Sequence, residues 1–367
     1  MKILFCGGGT AGHVYPAIAM AEIIKSKYKD AEFMFIGRRG GSENDIPRSL
    51  GIPVALIDSE GINRKSPIKA VRGIFKSLMA ISEAKRIIKE FSPGIVIGTG
   101  GYVTWPVITA AKKARIKTVI HESNAYPGLV TRMLAPKCDA TVLGFKSADE
   151  HLKRAKRVLC LGNPTREAFK TITRDDARRR LGIPKSVFLV VSFGGSLGAE
   201  VMNDVIADAM TKLSKENASY IHIHATGKRF YQAYKEKHPE LIKARGSRIV
   251  PYIENVPIWF SAADLAITRS GAITTAELMS ARLPSILIPS PNVADDHQSA
   301  NARAMERFGG AIVIKEEDLT ADSLANVISN LMKDGKRLTA MKSVLSDSDS
   351  RGFGKEFLAL FDELYPF

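Results

Sequence analysis

His13 closes the run Gly7-Gly-Gly-Thr-Ala-Gly12, directly after the apolar stretch Lys2–Cys6. Gly7-x-Gly9-x-x-Gly12 is the spacing of a turn whose backbone N–H groups can cradle phosphate at the start of a helix. A positive helix end disfavours an imidazolium, so His13 reads as a neutral general base. A histidine that merely hydrogen-bonds the turn is the plainer alternative.

Similar chemistry recurs along the chain. Thr99-Gly-Gly-Tyr102, Gly194-Gly-Ser-Leu-Gly198 and Thr268-Arg-Ser-Gly-Ala272 each follow an apolar run and put glycine where a backbone can approach an anion. In His121-Glu-Ser-Asn124, Glu122 can act as a base or bind hydroxyls, and Asn124 offers both a donor and an acceptor. Either could instead cap the segment that follows. Arg166 in Asn163-Pro-Thr-Arg166 has a planar fork suited to phosphate. Glu277 sits near the start of a helix, where a carboxylate can hold a ribose diol or simply complement the helix dipole. Gln298 and Asn301 share a helix face and offer uncharged amides to a sugar. Asp295-Asp-His297 has the residue types of a metal patch but no complete ligand set, so no metal is expected to serve the chemistry.

These residues need a scaffold that collects strand ends. Short apolar runs (Lys2–Gly7, Glu32–Gly37, Val54–Asp58, Gly94–Gly98, Thr118–Glu122, Ala140–Leu143) alternate with helical patterns. Pro16 is placed in the first turn of a helix continuing through Ala17, Met20, Ala21 and Ile24. The scheme repeats with Val187–Phe193, Tyr220–Ala225, Arg248–Tyr252, Leu265–Thr268 and Ser285–Pro289. The alternation predicts an α/β protein of two Rossmann-like domains with parallel sheets and a cleft between them. The expected domains are 1–163 and 164–340. Arg174–Leu181 reads as a solvated helix.

Residues 1–165 hold 26 of the 53 Lys and Arg but only 13 of the 38 Asp and Glu, so the net charge of +15 is concentrated there. Within Arg64–Met79, Ile68, Val71, Phe75 and Leu78 can share a helix face flanked by Lys69, Arg72 and Lys76. That pattern suits an anionic membrane surface, although a core-facing helix has the same periodicity. Aromatic interleaving of a single-strand binder is lacking, so nucleic acid is not an expected partner. Cys6, Cys138 and Cys160 form no Cys-x-x-Cys, which favours a reducing compartment. The N-terminus has no signal-peptide layout. The uncharged stretch Gly94–Ala111 contains Gly98-Thr-Gly-Gly101 and Pro106, reads as strand, turn and helix start, and predicts no transmembrane helix.

Two readings compete at this level. An NADP-dependent dehydrogenase would use the first glycine turn together with Arg38 and Arg39 after the second strand. A basic membrane-surface protein without catalysis would use the charge alone. Neither explains the second set of glycine turns.

The ordered set Gly7–His13, Gly98–Tyr102, His121–Asn124, Gly162–Arg166, Gly194–Ala199, Arg269–Ala272 with Glu277, and His297-Gln-x-x-Asn301 spans the whole chain. In that order it resembles the MurG family of bacterial peptidoglycan glycosyltransferases. The resemblance implies a GT-B fold and inverting transfer of N-acetylglucosamine from UDP-N-acetylglucosamine to the muramoyl C4 hydroxyl of lipid I. Lipid II and UDP are the products, in a cell-wall pathway that serves cell shape, division and the cell cycle.

The resemblance further implies donor contacts at Arg166, Ser196, Ile253 (to uracil, through its backbone), Glu277 (ribose), and Gln298 and Asn301 (sugar). Thr10, Ala11, Gly12 and Asn124 would reach the donor from the first domain. The first-domain turns, with Gly9, Gly100, Gly101 and Tyr102, would face the acceptor's pyrophosphate. His13 is the first choice of base and Glu122 the second. The resemblance also implies that no cofactor is required, that the place of action is the cytoplasmic face of the plasma (inner) membrane, as a peripheral protein, and that a C-terminal segment of about 341–367, with the helix Lys355–Leu364, crosses back to the first domain. Ala11 and Ser123 depart from the family's usual glycine and glutamine.

Overall fold

The computed structural model describes residues 1–9, 11–41, 44–59, 67–195, 198–216, 219–244, 246–293, 296–347 and 352–366. They divide into two compact units, Met1–Thr165 with Ser350–Phe367, and Arg166–Asp349.

The first unit is built on seven parallel strands: β1 (Lys2–Cys6), β2 (Glu32–Arg38), β3 (Val54–Ile57), β4 (Ile95–Gly98), β5 (Lys117–Glu122), β6 (Ala140–Leu143) and β7 (Val158–Cys160). Their spatial order is 3-2-1-4-5-6-7. Strand alternation divides β1 between two cores. Ile3 and Phe5 join one apolar cluster, while Leu4 and Cys6 join the other. The sheet is therefore buried on both faces, as a parallel sheet must be when helices cover it.

The second unit holds β8 (Phe188–Phe193), β9 (Tyr220–Ala225), β10 (Ser247–Val250), β11 (Leu265–Thr268), β12 (Ser285–Leu287) and β13 (Ala311–Val313). They lie in the order 10-9-8-11-12-13. Each order reverses once, between β1 and β4 and between β8 and β11. At such a switch point the adjacent connections leave in opposite directions and open a crevice at the strand carboxyl ends. The glycine turns after β1, β4, β8 and β11 all fall there.

Three expectations are corrected. The first helix, Ala11–Lys27, begins early enough that Pro16 lies inside it. Gly9, at φ +93°, turns the chain before Ala11. Proline then brings no N–H to the Gly12 carbonyl four residues back. The C-terminal segment joins the first unit at Ser350, and the second unit starts at Arg166. Residues near 341 stay with the second unit because Met341 and Leu345 are buried in its cores. The helix Phe353–Leu364 supplies Phe353, Phe357, Leu360, Phe361 and Leu364 to the core around β1. In the same unit the hydroxyl of Tyr28 donates to Asp362 at 2.5 Å.

The helix Arg174–Leu181 matches its expected span but is not simply solvated. Arg178 is buried, donating from Nε to the Ala262 carbonyl at 2.9 Å and from Nη2 to Asp264 at 2.6 Å. Asp264 also accepts from Arg174 at 2.7 Å and from the Leu189 backbone at 3.0 Å. This carboxylate ties the helix to the starts of β8 and β11. Asp264→Ala is expected to lower the unfolding free energy of the second unit by about 3–5 kcal/mol, because it strands a buried guanidinium. Urea unfolding followed by circular dichroism measures the loss.

Candidate active site

In the first unit the turns after β1 and β4 lock together. The Thr99 backbone N–H donates to the Cys6 carbonyl at 2.8 Å, and the Thr99 hydroxyl donates to the His13 carbonyl at 2.5 Å. His13 Nδ1 lies 3.1 Å from the Thr99 carbonyl oxygen. A carbonyl can only accept, so Nδ1 carries the proton and the neutral ring keeps its lone pair on Nε2. That is the tautomer a general base needs. Gly100 (φ +105°) and Gly101 (φ +80°) make this approach possible. A Cβ on Gly100 would lie 2.6 Å from His13 Nδ1, and one on Gly101 would run into the Gly8 carbonyl. Ala11 lies in helical backbone, so it needs no left-handed conformation. Tyr102 is exposed, and its carbonyl accepts from Ser59 at 3.2 Å.

Glu122 does not suit the role of base. Its Oε1 accepts from the Asn124 backbone N–H at 2.9 Å and side-chain amide at 3.0 Å. Its Oε2 accepts from the Gly128 N–H at 2.9 Å and the Thr131 hydroxyl at 2.6 Å. Two carboxylate oxygens accepting four hydrogen bonds leave little capacity for a substrate proton. Glu122 is a buried brace for the loop 123–131, and Asn124 is oriented by it.

The neighbouring His121 is fully buried, and desolvation pushes it down to about 4; a Gly162 backbone hydrogen bond opposes the shift, and a proton on His13 would add to it by repulsion.

In the second unit, Arg166 Nη2 donates to Glu277 Oε1 at 2.8 Å, and the guanidinium lies 5.0 Å from the ring centre of Phe169. Glu277 is carried by the helix Ala272–Ser280. Burial raises its carboxyl above the ordinary range, opposed by the charge and hydrogen bond of Arg166. Gln298 Oε1 accepts from the Ser290 N–H at 2.9 Å, and the Ser270 hydroxyl donates to the Gln298 carbonyl at 2.8 Å. This leaves the donors of Gln298 Nε2 unused among the described residues. Arg269 Nη1 donates to the carbonyls of Ile288 at 3.2 Å and Pro289 at 3.1 Å, while Nη2 pairs with Glu316. The loop after β11 is thus fastened to the loop after β12.

Asn301 is corrected from surface sugar ligand to internal strut. It is fully buried, and its Nδ2 donates to the Ser270 carbonyl at 3.1 Å. The Ile253 side chain is packed in the core, so its backbone is the part able to meet a ligand. Thr10 and Ser196 lie outside the described residues, as do the side chains of Ala11, Ile68, Lys69, Val71, Arg72 and Phe75. On the helix Pro67–Phe91, Leu78 is exposed and Lys76 pairs with Asp58 at 3.4 Å. Arg39, a candidate for a 2′-phosphate, lies 3.6 Å from Glu83 instead. Phe169, Ser270 and Arg269 were not singled out as site residues, although the spacing Arg166-x-x-Phe169 is a visible signal for the ring beneath the guanidinium.

Among the described residues no three His, Cys, Asp or Glu side chains converge as a metal site. No helix among them is long and apolar enough to cross a membrane.

Two Rossmann-like units, each with glycine turns at its switch point, have the architecture of the GT-B class. Residues 3–143 match the glycosyltransferase family 28 N-terminal domain, and residues 189–355 match the family's C-terminal domain. A UDP-N-acetylglucosamine--N-acetylmuramyl-(pentapeptide) pyrophosphoryl-undecaprenol N-acetylglucosamine transferase of Acetivibrio thermocellus is 40% identical over 341 residues, covering 93% of this chain and 92% of that protein. The transferase of the same name from Caldanaerobacter subterraneus subsp. tengcongensis is 38% identical, covering 93% of this chain and 94% of that protein. The crystal structure of Acinetobacter baumannii MurG matches with a TM-score of 0.79 at 25% identity, covering 99% of both chains. CalG4, the calicheamicin glycosyltransferase, shares the fold at 14% identity, with a TM-score of 0.70 and coverage of 100% of this chain and 99% of that one. The chain belongs to glycosyltransferase family 28, among the MurG-type transferases. The dehydrogenase alternative falls with that membership.

Between pH 6.5 and about 4 the unfolded chain takes up a proton that the folded chain refuses at His121. Stability from this group is complete above pH 6.5 and falls by about 1.4 kcal/mol per pH unit below it. Urea unfolding at pH 7 and pH 5 is expected to show the wild type losing about 2 kcal/mol more than His121→Gln. Equal losses would contradict the burial of a neutral ring.

Proposed function

We propose that the protein transfers N-acetylglucosamine from UDP-N-acetylglucosamine to the C4 hydroxyl of the muramoyl sugar of lipid I, giving lipid II and UDP. The observation that carries this reading is near full-length similarity to transferases bearing that name. The second unit would hold the donor. Glu277 has an oxygen, Oε2, that accepts nothing among the described residues and suits a ribose hydroxyl. Arg166 offers its remaining fork to the diphosphate, the Ile253 backbone suits uracil, and Gln298 Nε2 can donate to a sugar hydroxyl. Asn301 and Ser270 position Gln298 rather than touch the sugar.

His13 is the base in this reading. Its Nε2 takes the proton of the C4 hydroxyl as that oxygen forms its bond to C1 of the donor sugar. The bond from C1 to the diphosphate oxygen breaks, the electron pair leaves with UDP, and the anomeric centre inverts. The turns containing Gly9, Gly100 and Gly101 present backbone to the acceptor's pyrophosphate. Charge on the leaving diphosphate is met by Arg166 and by backbone N–H groups at helix starts, with no metal required. A lipid-linked acceptor fits a peripheral protein on the cytoplasmic face of the membrane, and the basic first unit with exposed Leu78 and Met79 supports that placement.

Calorimetry with UDP-N-acetylglucosamine and NADPH tests the donor class. Binding of the first without the second is expected, and Glu277→Ala should weaken it about 10- to 100-fold, the worth of hydrogen bonds to a charged group. Binding of NADPH alone would overturn the reading. His13→Ala should lower kcat about 10²- to 10⁴-fold with a nearly unchanged donor KM. Near-normal kcat at saturating substrates would remove His13 as the base.

A further inference from the structure

Strand β9 reads Tyr-Ile-His-Ile-His-Ala, so Tyr220, His222 and His224 share one face of the sheet. All three are buried, and none belongs to the site described above. They form a continuous chain of hydrogen bonds with Ser192 of β8 and Asn203 of the helix Glu200–Glu216. The distances are 2.7 Å from Tyr220 Oη to His222 Nδ1, 2.7 Å from His222 Nε2 to Ser192 Oγ, 2.7 Å from Ser192 Oγ to His224 Nδ1, and 3.2 Å from His224 Nε2 to Asn203 Oδ1. Asn203 Nδ2 lies 2.9 Å from the Thr226 carbonyl.

One end of the chain fixes every proton in it. The Thr226 carbonyl can only accept, so Asn203 presents its N–H₂ there and its Oδ1 to His224. His224 Nε2 must then donate. Burial holds both rings neutral, with His224 lowered to about 3 and His222 well below its ordinary value. His224 Nδ1 therefore accepts from the Ser192 hydroxyl. Ser192, its proton spent, accepts from His222 Nε2, and His222 Nδ1 accepts from Tyr220. Reversing any one link turns two acceptors toward each other further along.

Asn203 and Thr226 flank the glycine turn at the end of β8. Gly198, at φ +78°, lies against the Thr226 carbonyl so closely that a Cβ there would collide with it. The Asn203 backbone N–H donates to the Ala199 carbonyl at 2.8 Å, so the main chain that carries this side chain is anchored one residue beyond Gly198. We propose that the buried relay Tyr220–His222–Ser192–His224 is a positioning device: it fixes the Asn203 amide so that the turns after β8 and β9 are held for the diphosphate of the nucleotide sugar. The proposal rests on the reading that the second unit binds that donor. None of the five side chains touches the donor in this account.

The test uses the full-length protein labelled with ¹⁵N-histidine. Long-range ¹H–¹⁵N correlation spectra should show His222 and His224 as neutral Nε2–H tautomers at both pH 7 and pH 5.5. Tyr220→Phe removes the terminal donor and leaves the buried His222 Nδ1 without a partner in the relay, and Asn203→Asp replaces the N–H₂ facing Thr226, which sets the direction, with an acceptor. Each is expected to weaken UDP binding about five- to tenfold and to raise the donor KM in proportion, with kcat at saturating donor within about twofold. If Asn203→Asp does not fold, Tyr220→Phe, which loses one oxygen, carries the comparison. An Nδ1–H tautomer at either ring, or wild-type UDP affinity in a folded variant, overturns the proposal. A wild-type protein with the expected tautomers but no affinity for UDP overturns the nucleotide reading instead, and with it the purpose given to the relay.

Discussion

Everything in the candidate site depends on how closely two strand-end turns can approach at a switch point. Parallel strands that send their connections to opposite sides leave backbone groups facing one another at their carboxyl ends. In the first unit the gap between β1 and β4 closes until Gly101 meets the Gly8 carbonyl and Gly100 meets the His13 ring. A side chain on either glycine would push the turns apart. The Thr99 carbonyl would then be out of reach of His13 Nδ1, and nothing would select the tautomer that leaves Nε2 basic. The second unit meets the same constraint on the β9 side of β8, where Gly198 lies against Thr226.

Three largely buried carboxylates show how surroundings separate structure from function. Glu122 accepts four hydrogen bonds and braces its own loop. Asp264 is held by two arginines and a backbone N–H and ties down two strand starts. Glu277 has a single cationic partner, and desolvation raises its carboxyl. Of the three, Glu277 retains an acceptor that a ligand can use. The same contrast separates the two amides of the helix His297–Arg307, where Asn301 is spent inside and Gln298 keeps its donors.

The architecture was legible because a doubly wound sheet writes itself in apolar runs ending in glycine. The turns after β1, β4, β8 and β11 were found by that sign. The three-residue strand β13 is too short to carry a period and was not singled out, whereas β12, equally short, shows because its apolar run continues to a proline. The burial of Arg178 was hidden because Arg-Asp-Asp-Ala-Arg-Arg-Arg looks polar throughout, and its partner Asp264 is 86 residues away. Glu122 passed for a base because residue type says nothing of how many donors will surround it. The relay in β9 did leave a trace, polar aromatic residues at alternate positions, but alternation gives a shared face and not the partners across it.

Acceptor-dependent transfer of N-acetylglucosamine is measured most directly by mass spectrometry of a lipid I analogue incubated with the protein and UDP-N-acetylglucosamine, with UDP quantified in parallel. The acceptor is expected to gain one N-acetylhexosamine in a β linkage, with one UDP released per acceptor consumed. An unmodified acceptor in the presence of folded protein and bound donor would contradict it.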